Sequence, residues 1–469
     1  MSAGSANGSP PSAGRGTEST ADYGRTASFL AIGVGLTGVI TYVYFFIASH
    51  VLSKPDYGQI TVLWSAVFIT ISTLYRPIEQ LLSRNIAQHT VKGEPISATM
   101  RVATTIQLGL SLSFAVVALA LRGPIQNGLL EGNETLYWVF FSAVLFYAAS
   151  YFARGFLAGS KRFGLFVALI FSESCFRTIF AVLVAVSVLS GQSAVAIGIV
   201  AAPALSLMVV PFAFARRAKR EGAAAPSQPA SDEDTSVSMV KGGGFAAAVL
   251  VIMFSEQAFL NAGPLVIRGL EGAAAAGFIF NVLMIARAPL QLFQAVSTSI
   301  LPHLTSLHTS EEPGSEDEFH RSVRMVLLGL VAFTAAALVF MAAVGPKAMQ
   351  IAFSNKFTYD REGLLLITLG MGLYLGSVTV NQACIAQGQV RRAAARWITC
   401  AALFIAWNFV PLVSNEFRRV EIGFLLAAGV LFSLLYYVYH RPHERAEDVP
   451  MPGSPEELEA ELAMIDENV

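Results

Sequence analysis

Charged side chains are scarce in this sequence. Only 13% of its 469 residues are Asp, Glu, Lys or Arg, against ~25% in an ordinary soluble chain. A chain with so few charges cannot cover a water-facing surface of its size. The deficit excludes an ordinary soluble protein and predicts that most of the surface faces lipid.

A basic excess is absent too, since 31 Lys and Arg stand against 32 Asp and Glu, and this balance excludes nucleic acid as a partner. The three cysteines, Cys175, Cys384 and Cys400, are too few for a disulfide scaffold and have no His or Cys spacing typical of a metal site. We interpret them as small hydrophobic residues of the core. The sequence therefore predicts no metal and no cofactor.

Long apolar runs dominate instead, with 54% hydrophobic residues and a mean hydropathy of +0.58. A helix that crosses the ~30 Å hydrocarbon core of a bilayer needs about 20 mostly apolar residues. Twelve segments qualify, and we therefore predict an all-α integral membrane protein with about twelve transmembrane helices. The predicted spans are 27–51, 60–83, 102–121, 135–157, 164–189, 195–214, 245–267, 273–301, 325–344, 364–387, 397–413 and 422–439.

The longest internal break divides these spans six and six. We predict a cytoplasmic tail at 1–26, an N-lobe at 27–215, a cytoplasmic linker at 216–244, a C-lobe at 245–441 and an acidic cytoplasmic tail at 442–469, in which a capping-box pattern favours a short helix. Lys and Arg in short loops mark the cytoplasmic side. With the N-terminus inside, 20 of them lie inside and 8 outside, which predicts that both termini are cytoplasmic.

Two segments repeat at corresponding places in the two halves. The sequence GFLAGSKR at 155–162, after span 4, matches CIAQGQVR at 384–391, after span 10, in an apolar helix end, a glycine suited to a left-handed helix C-cap and a basic turn. Arg76-Pro77 in span 2 matches Arg287-Ala288-Pro289 in span 8 more loosely. The pattern indicates an internal duplication.

With Pro55-Asp56-Tyr57-Gly58, Arg76-Pro77-Ile78-Glu79-Gln80, Arg287-Ala288-Pro289-Leu290-Gln291 and Leu301-Pro302, these motifs occur in an order that resembles the polysaccharide (lipid-linked oligosaccharide) flippase family of the MOP superfamily. That family is related to the lipid II flippases and to the multidrug and toxin extruders. The resemblance implies two six-helix lobes around a central cavity, lined mainly by helices 1, 2, 7 and 8, and an alternating-access mechanism. Because twelve spans are predicted, unlike in the lipid II flippases, lipid II itself is not favoured as the substrate.

Ionisable and amide side chains within the spans mark candidate binding sites, since such groups are costly in hydrocarbon and face a cavity or a partner. Span 2 places Arg76 and Gln80 on one helix face, and span 8 does the same with Arg287, Gln291 and Gln294. We predict that these five residues bind substrate, because the planar fork of Arg fits the oxygens of a lipid pyrophosphate. The alternative for Arg76 is a structural i,i+3 pair with Glu79.

Carboxyl groups in the spans suggest a second role. Glu256 in span 7 has no basic residue one turn away, and we predict that it couples transport to an ion, together with Glu79; a hydrogen-bonded structural acid is the alternative for Glu256. Glu173 and Arg177 have the i,i+4 spacing of a structural ion pair. Arg154, near the inner end of span 4, is expected to extend to the lipid headgroups.

The sequence thus predicts a non-enzymatic flippase that moves a lipid-linked oligosaccharide or polysaccharide precursor across a bacterial cytoplasmic membrane. Its predicted partners are the lipid-linked sugar, membrane lipids, a coupling H⁺ or Na⁺, and sugar-assembly proteins of the same pathway. A cation-coupled exporter of drugs or metabolites with the same fold is the alternative. A membrane glycosyltransferase or sugar ligase is less favoured, because it would need an acidic catalytic pair at a membrane face.

Overall fold

The computed structural model describes residues 20–92, 95–211, 234–287 and 315–441. In these ranges the chain forms α-helices joined by short turns, with one π-helical turn at Pro124–Leu129 and one 3-10 turn at Leu207–Val209. The helices are α1 (Thr20–Val51), α2 (Lys54–Leu74), α3 (Arg76–Lys92), α4 (Ser97–Ala120), α5 (Glu134–Gly159), α6 (Phe163–Ala185), α7 (Gly191–Ser206), α8 (Asp234–Glu271), α9 (Ala273–Arg287), α10 (Ser315–Phe353), α11 (Arg361–Ala386), α12 (Val390–Trp407) and α13 (Glu416–His440).

The predicted all-α membrane architecture is confirmed. Ten helical segments of the described chain are long and apolar enough to cross a membrane, and α2 with α3 counts as one of them. The predicted eighth span begins with α9, whose continuation lies outside the described residues. The predicted eleventh span corresponds to α12, which begins at Val390 rather than at 397 and carries Arg391, Arg392 and Arg396 in its first turns.

Helix packing groups the described helices into an N-terminal half and a C-terminal half. In the first, α1 packs on α6, α3 on α5, and α7 on both α5 and α6; in the second, α11 packs on α10 and α13, and α12 on α8 and α13. The halves meet where α2 lies along α8 and α1 approaches α10. The lobe interface is therefore formed mainly by the second helix of one half and the first helix of the other.

The second span is broken at Tyr75, and Pro77 explains the break. Proline has no N–H to donate, and its ring clashes with the carbonyl four residues earlier. Helix α2 ends at Leu74, the Tyr75 N–H still donates to the Ile71 carbonyl, and α3 begins at Arg76 with Pro77 in its first turn. Pro77 thus lies just after a helix boundary, which leaves Arg76 at the start of a new helix.

The two matching turns differ in their use of glycine. Gly388 has a φ of +74° and takes the predicted left-handed position. Gly159 is helical, and in that turn Lys161 is left-handed instead, with a φ of +54°. Gly155 and Gly159 let α5 approach α3 closely, since a Cβ at either would lie within 3 Å of the carbonyl oxygen of Glu79 or Ser83. The prediction of a glycine cap was wrong for the first turn.

Two helices begin inside segments that the sequence assigned to connections. Helix α1 begins at Thr20, within the predicted tail at 1–26, and α8 begins at Asp234, within the predicted linker at 216–244. The remainder of that linker up to residue 233, like the tail at 442–469 and the segment with Pro289 and Pro302, lies outside the described residues.

Candidate functional site

The two lobes are in close contact at one end of the bundle, which carries the α1–α2, α8–α9 and α10–α11 turns; we call this end the closed rim. There, a Cβ added at Gly58 of α2 would overlap the carbonyl oxygen of Ala273 in α9. The Tyr57 hydroxyl donates a buried hydrogen bond to the side-chain oxygen of Asn281. The Arg268 guanidinium lies 3.7 Å from the Glu131 carboxylate. By the predicted orientation, the closed rim is extracytoplasmic.

Arg76 lies well below this rim, at the start of α3 and at the lobe interface. Its guanidinium interacts electrostatically with Glu79 of its own helix and with Glu256 of α8 in the other lobe. Across the described part of the chain, no carboxylate lies within the 4.0 Å limit of an ion pair to Arg76. The structural pair with Glu79 therefore does not form, and Arg76 has no close anion among the described residues.

Glu256 faces the same region from the C-lobe. Arg76 is its charged neighbour, although the two belong to different lobes. Tyr374 of α11 interacts with Glu256, Arg76 and Arg287 together, and its ring is fixed by packing on Phe259 and Trp397. A carboxyl and two guanidinium groups thus lie within electrostatic range of one phenol at the lobe interface.

Arg287 completes this group from the end of α9. Its charge interacts with Tyr42 of α1 and Tyr374. The Tyr42 hydroxyl donates to the Met284 carbonyl at 2.6 Å, and so ties the N-lobe to α9 one turn before Arg287. Among the described residues, Nε and one terminal nitrogen of Arg287 are buried without a hydrogen-bond acceptor. Buried donors of this kind are costly unless something binds them.

We refer to Arg76, Glu256, Arg287 and Tyr374 as the interlobe cluster. It contains two predicted substrate ligands, Arg76 and Arg287, and Glu256, one of the two predicted coupling acids. Of the other predicted substrate ligands, Gln80 is exposed on α3, one turn after Arg76, whereas Gln291 and Gln294 lie outside the described residues.

A separate cluster of charges is buried inside the N-lobe. Glu173 and Arg177 of α6 form the i,i+4 ion pair, at 3.2 Å, and Arg177 also donates to the Tyr147 hydroxyl at 2.9 Å. The Arg177 guanidinium lies 4.5 Å from the centre of the Trp64 ring. The ion pair of Glu173 is therefore formed within its own lobe, as expected of a structural residue.

Arg154 joins this N-lobe cluster, and its predicted extension to the headgroups was wrong. Its guanidinium donates to Glu173 at 2.5 Å, and the side chain is only 14% exposed. The reason is that a buried carboxylate on the neighbouring helix binds the charge more closely than the distant membrane surface does. Glu79 interacts with Arg154, Arg76 and Glu173, so it lies between the N-lobe cluster and the interlobe cluster.

A third group of ionisable side chains lies at the closed rim of the C-lobe. Arg418 reaches Asp360 at 2.8 Å, Glu362 at 3.2 Å and Glu421 at 3.0 Å, and the Tyr359 hydroxyl donates to Glu421. Partial burial acts to raise the pKa of Asp360, but hydrogen bonds from the Gly363 N–H and from Arg418 hold it below its usual value. Tyr359, Asp360, Arg418 and Glu421 line an open cavity of about 330 Å³.

Sequence reasoning missed three tyrosines that lie in or beside these two clusters. Tyr42, Tyr147 and Tyr374 lie in apolar runs, where an aromatic ring is usually only a core residue. Their hydroxyl groups become informative only when the neighbouring helices are known. A tyrosine within helical spacing of a buried charge would have been a weak signal.

The comparisons with known proteins concern the fold. No family model matches the sequence, and no curated protein matches it. Among solved structures, an inward-facing multidrug resistance MATE family transporter of the MOP superfamily matches with a TM-score of 0.62 at 11% identity, covering 88% of this chain and 96% of that chain. The eukaryotic MATE transporter AtDTX14 matches with a TM-score of 0.59 at 14% identity, covering 90% and 96%.

A third match is a mutant of the Vibrio cholerae MATE transporter VcmN, with a TM-score of 0.57 at 16% identity, covering 88% of this chain and 97% of that chain. These likenesses extend over nearly the full length of each transporter. The chain therefore has the fold of the MATE transporters of the MOP superfamily and is a multi-pass membrane protein.

Proposed function

We propose that this protein is a flippase that moves a lipid-linked oligosaccharide, or a related polysaccharide precursor, across a bacterial cytoplasmic membrane by alternating access. The observation that carries the proposal is the placement of Arg76 and Arg287. Each lobe contributes one arginine to the interface, and neither has a carboxylate partner within 4.0 Å among the described residues. Two such arginines suit an anion held between lobes that move relative to each other.

A pyrophosphate is the anion that fits this pair best. It presents several oxygens over a short distance, and each planar guanidinium binds two of them in parallel without losing its charge. The unbonded buried donors of Arg287 are then satisfied by the ligand. A lipid carrier is consistent with a site inside the membrane, where a free sugar would need a fully aqueous path.

An alternating-access mechanism is consistent with the closed rim. The close approaches of the lobes at Gly58 and Tyr57 lie at that rim, whereas Arg76 of the interlobe cluster lies at the other end of α2, where α3 begins. By the predicted orientation, a substrate enters from the cytoplasm and leaves when the rim opens. Glu256 and Glu79, beside Arg76, are the proposed coupling acids for H⁺ or Na⁺.

A multidrug or metabolite exporter is the second candidate, and two observations favour it. The matched MATE structures include a multidrug resistance transporter. In addition, Glu256 interacts electrostatically with Tyr374, and a carboxylate near an aromatic side chain suits an organic cation. The two candidates differ in which member of the interlobe cluster binds the transported molecule.

Binding measurements on the purified protein distinguish the flippase from the exporter. We expect a polyisoprenyl pyrophosphate to bind the parent protein, and the Arg76→Gln and Arg287→Gln variants to bind it roughly tenfold to a hundredfold more weakly, since a charge-assisted hydrogen bond contributes about 1.5–3 kcal/mol. Replacement by Lys should retain part of the affinity, because the charge remains without the fork. Arg122→Gln, at an exposed loop pair, is the matched control and should bind as the parent does.

Equal binding by the parent and both Gln variants, at unchanged thermal stability, would remove the arginines from the site. Binding of an organic cation such as tetraphenylphosphonium, lost in Glu256→Gln and kept in both arginine variants, would instead establish the exporter. For the flippase, Glu256→Gln should keep pyrophosphate binding and abolish the dependence of transport on an ion gradient in proteoliposomes.

A further inference from the structure

The open cavity of the C-lobe lies beside the closed rim, and the interlobe cluster contributes no residue to its lining. Its walls come from α9, from the α10–α11 turn and from the first turns of α13. Phe278 of α9 lies 4.9 Å from Phe357, ring centre to ring centre, and Phe357 lies 5.0 Å from Tyr57 of the N-lobe. By the predicted orientation, the cavity therefore opens on the extracytoplasmic side, next to the place where the lobes meet.

Three aromatic rings, Phe278, Tyr359 and Phe417, form the apolar part of this cavity. The centre of the Phe417 ring lies 6.4 Å from the centre of each of the other two rings, and its plane is inclined by 76° to both. The three rings belong to three different elements of the C-lobe. Aromatic walls combined with a few polar groups are typical of small-molecule sites.

The polar part contains a buried acceptor and a buried donor that lack hydrogen bonds among the described residues. One carboxylate oxygen of Glu421 accepts from the Tyr359 hydroxyl, whereas Oε2 accepts from no donor, and the side chain is only 1% exposed. Nη1 of Arg418 is buried without an acceptor. These two atoms lie 3.0 Å apart as an ion pair, without the geometry of a hydrogen bond. A ligand group that both donates and accepts would satisfy both atoms.

The charges around the cavity compensate each other. Asp360 accepts from a backbone N–H in the first turn of α11 and from Arg418 at 2.8 Å, and Glu421 is paired with the same Arg418. The Lys54 amine of the N-lobe lies 5.3 Å from the centre of the Phe278 ring. A cationic ligand would meet two basic side chains here, and an anionic ligand would meet two carboxylates. The surroundings therefore favour a neutral ligand.

We propose that this cavity binds a neutral sugar unit on the extracytoplasmic side of the protein. A sugar hydroxyl both donates and accepts, so it suits Glu421 and Arg418 together, while the C–H groups of the ring pack on the aromatic walls. The volume of about 330 Å³ lies at the lower end of the range for small-ligand pockets, which suits a single sugar ring better than an oligosaccharide.

The origin of the sugar rests on the proposed function. A lipid-linked oligosaccharide that crosses between the lobes leaves them at the closed rim when that rim opens. Because the cavity borders the rim from the C-lobe, it would contact a sugar of the emerging chain. The chemistry of the cavity does not depend on this origin, so free monosaccharides are suitable probes.

Saturation-transfer difference NMR on the purified full chain measures such weak binding. The probes are glucose, galactose and N-acetylglucosamine, with tetramethylammonium as a cationic alternative. We expect the parent to bind at least one of the sugars with roughly millimolar affinity, because the cavity is open and the ligand is small.

Two variants locate the bound sugar. Thr358→Trp fills the cavity from an exposed position of its lining, and should weaken sugar binding by about tenfold or more. Phe417→Ala should also weaken it, because an aromatic wall is lost. The matched control is Thr399→Trp, exposed on α12 outside the cavity, which should bind as the parent does. Arg76→Gln should leave sugar binding unchanged, since Arg76 is not part of the lining.

Binding of none of the three sugars by the parent, or equal binding by the parent and Thr358→Trp, would overturn the sugar site. If Thr358→Trp lowers the thermal stability, Phe417→Ala decides in its place. Tetramethylammonium binding that Thr358→Trp abolishes, without sugar binding, would assign the cavity to an organic cation. Failure of the proposed function gives a different result: the parent would bind a sugar in this cavity but no polyisoprenyl pyrophosphate.

Discussion

Replacement of Glu173 by Gln tests the N-lobe cluster directly. Glu173 is 5% exposed and lies between two guanidinium groups, 2.5 Å from Arg154 and 3.2 Å from Arg177. It also accepts from the Ser150 hydroxyl at 3.2 Å. Gln has the same shape and keeps an acceptor oxygen, but removes the negative charge that both buried arginines share.

The expected loss of stability in Glu173→Gln follows from the interactions that the two arginines keep. Removal of one partner from a buried ion pair costs about 3–5 kcal/mol, because the other charge stays buried without compensation. Two arginines lose their partner here, although the Gln oxygen still accepts a hydrogen bond and Glu79 remains near Arg154. These two effects place the expected loss near the lower end of that range, at about 3 kcal/mol.

Unfolding by sodium dodecyl sulfate in mixed micelles, followed by circular dichroism, measures the free energy of unfolding. The matched control is Glu134→Gln, since Glu134 accepts from Arg122 at 2.8 Å but the two side chains are 63% and 43% exposed. Exposed pairs contribute less than about 1 kcal/mol. Equal losses in the two variants would show that burial adds nothing to the Glu173 pairs, and the reasoning would be refuted.

Most of the fold could be predicted because the bilayer restricts it so strongly. A segment in hydrocarbon must satisfy its backbone within a helix, so an apolar run of sufficient length predicts a helix. The helix ends could not be predicted equally well. Helix α12 begins with Val390, ahead of its arginines, since a basic first turn in the headgroup region is compatible with a helix but interrupts the hydropathy signal.

The sequence predicts the individual residues of the candidate site but not which of them lie next to each other. Arg76, Glu256 and Arg287 stand out because ionisable groups are rare in hydrocarbon. The sequence does not show that Arg76 is the charged neighbour of Glu256, because 180 residues separate them and only the packing of two lobes brings them together. Local spacing suggested Glu79 as the partner of Arg76, and that pair does not form.

The contact between Arg154 and Glu173 can be predicted from the sequence. The turn between α5 and α6 spans only residues 160–162, so the two helices are neighbours that run in opposite directions. An arginine near the end of α5 and a glutamate in the first half of α6 can then meet across the hairpin. Hairpin geometry predicts the contact with Glu173 better than a search within one helix does.

Three further predictions concern the rim and the orientation. Gly58→Leu should open the closed rim, because any side chain there overlaps the Ala273 carbonyl, and it should raise the labelling of a cysteine at position 273; Gly109→Leu, with open space around it, should not. Asp360→Asn should lower thermal stability slightly. Since hydrogen bonds lower the pKa of Asp360, the difference from the parent should be complete above the ordinary carboxyl pKa of 3.8 and vanish as the pH falls below the folded-state value; a difference that persists in acid would contradict this. Cysteine is introduced at Ser190, exposed just before α7, or at Arg391, exposed in the first turn of α12. The two cysteines should react with a membrane-impermeant maleimide from opposite sides, one in intact cells and the other in inverted vesicles, since the basic residues concentrate on the side of Arg391. Labelling of both from one side would contradict the predicted orientation of at least one lobe and, with it, the prediction that the closed rim is extracytoplasmic.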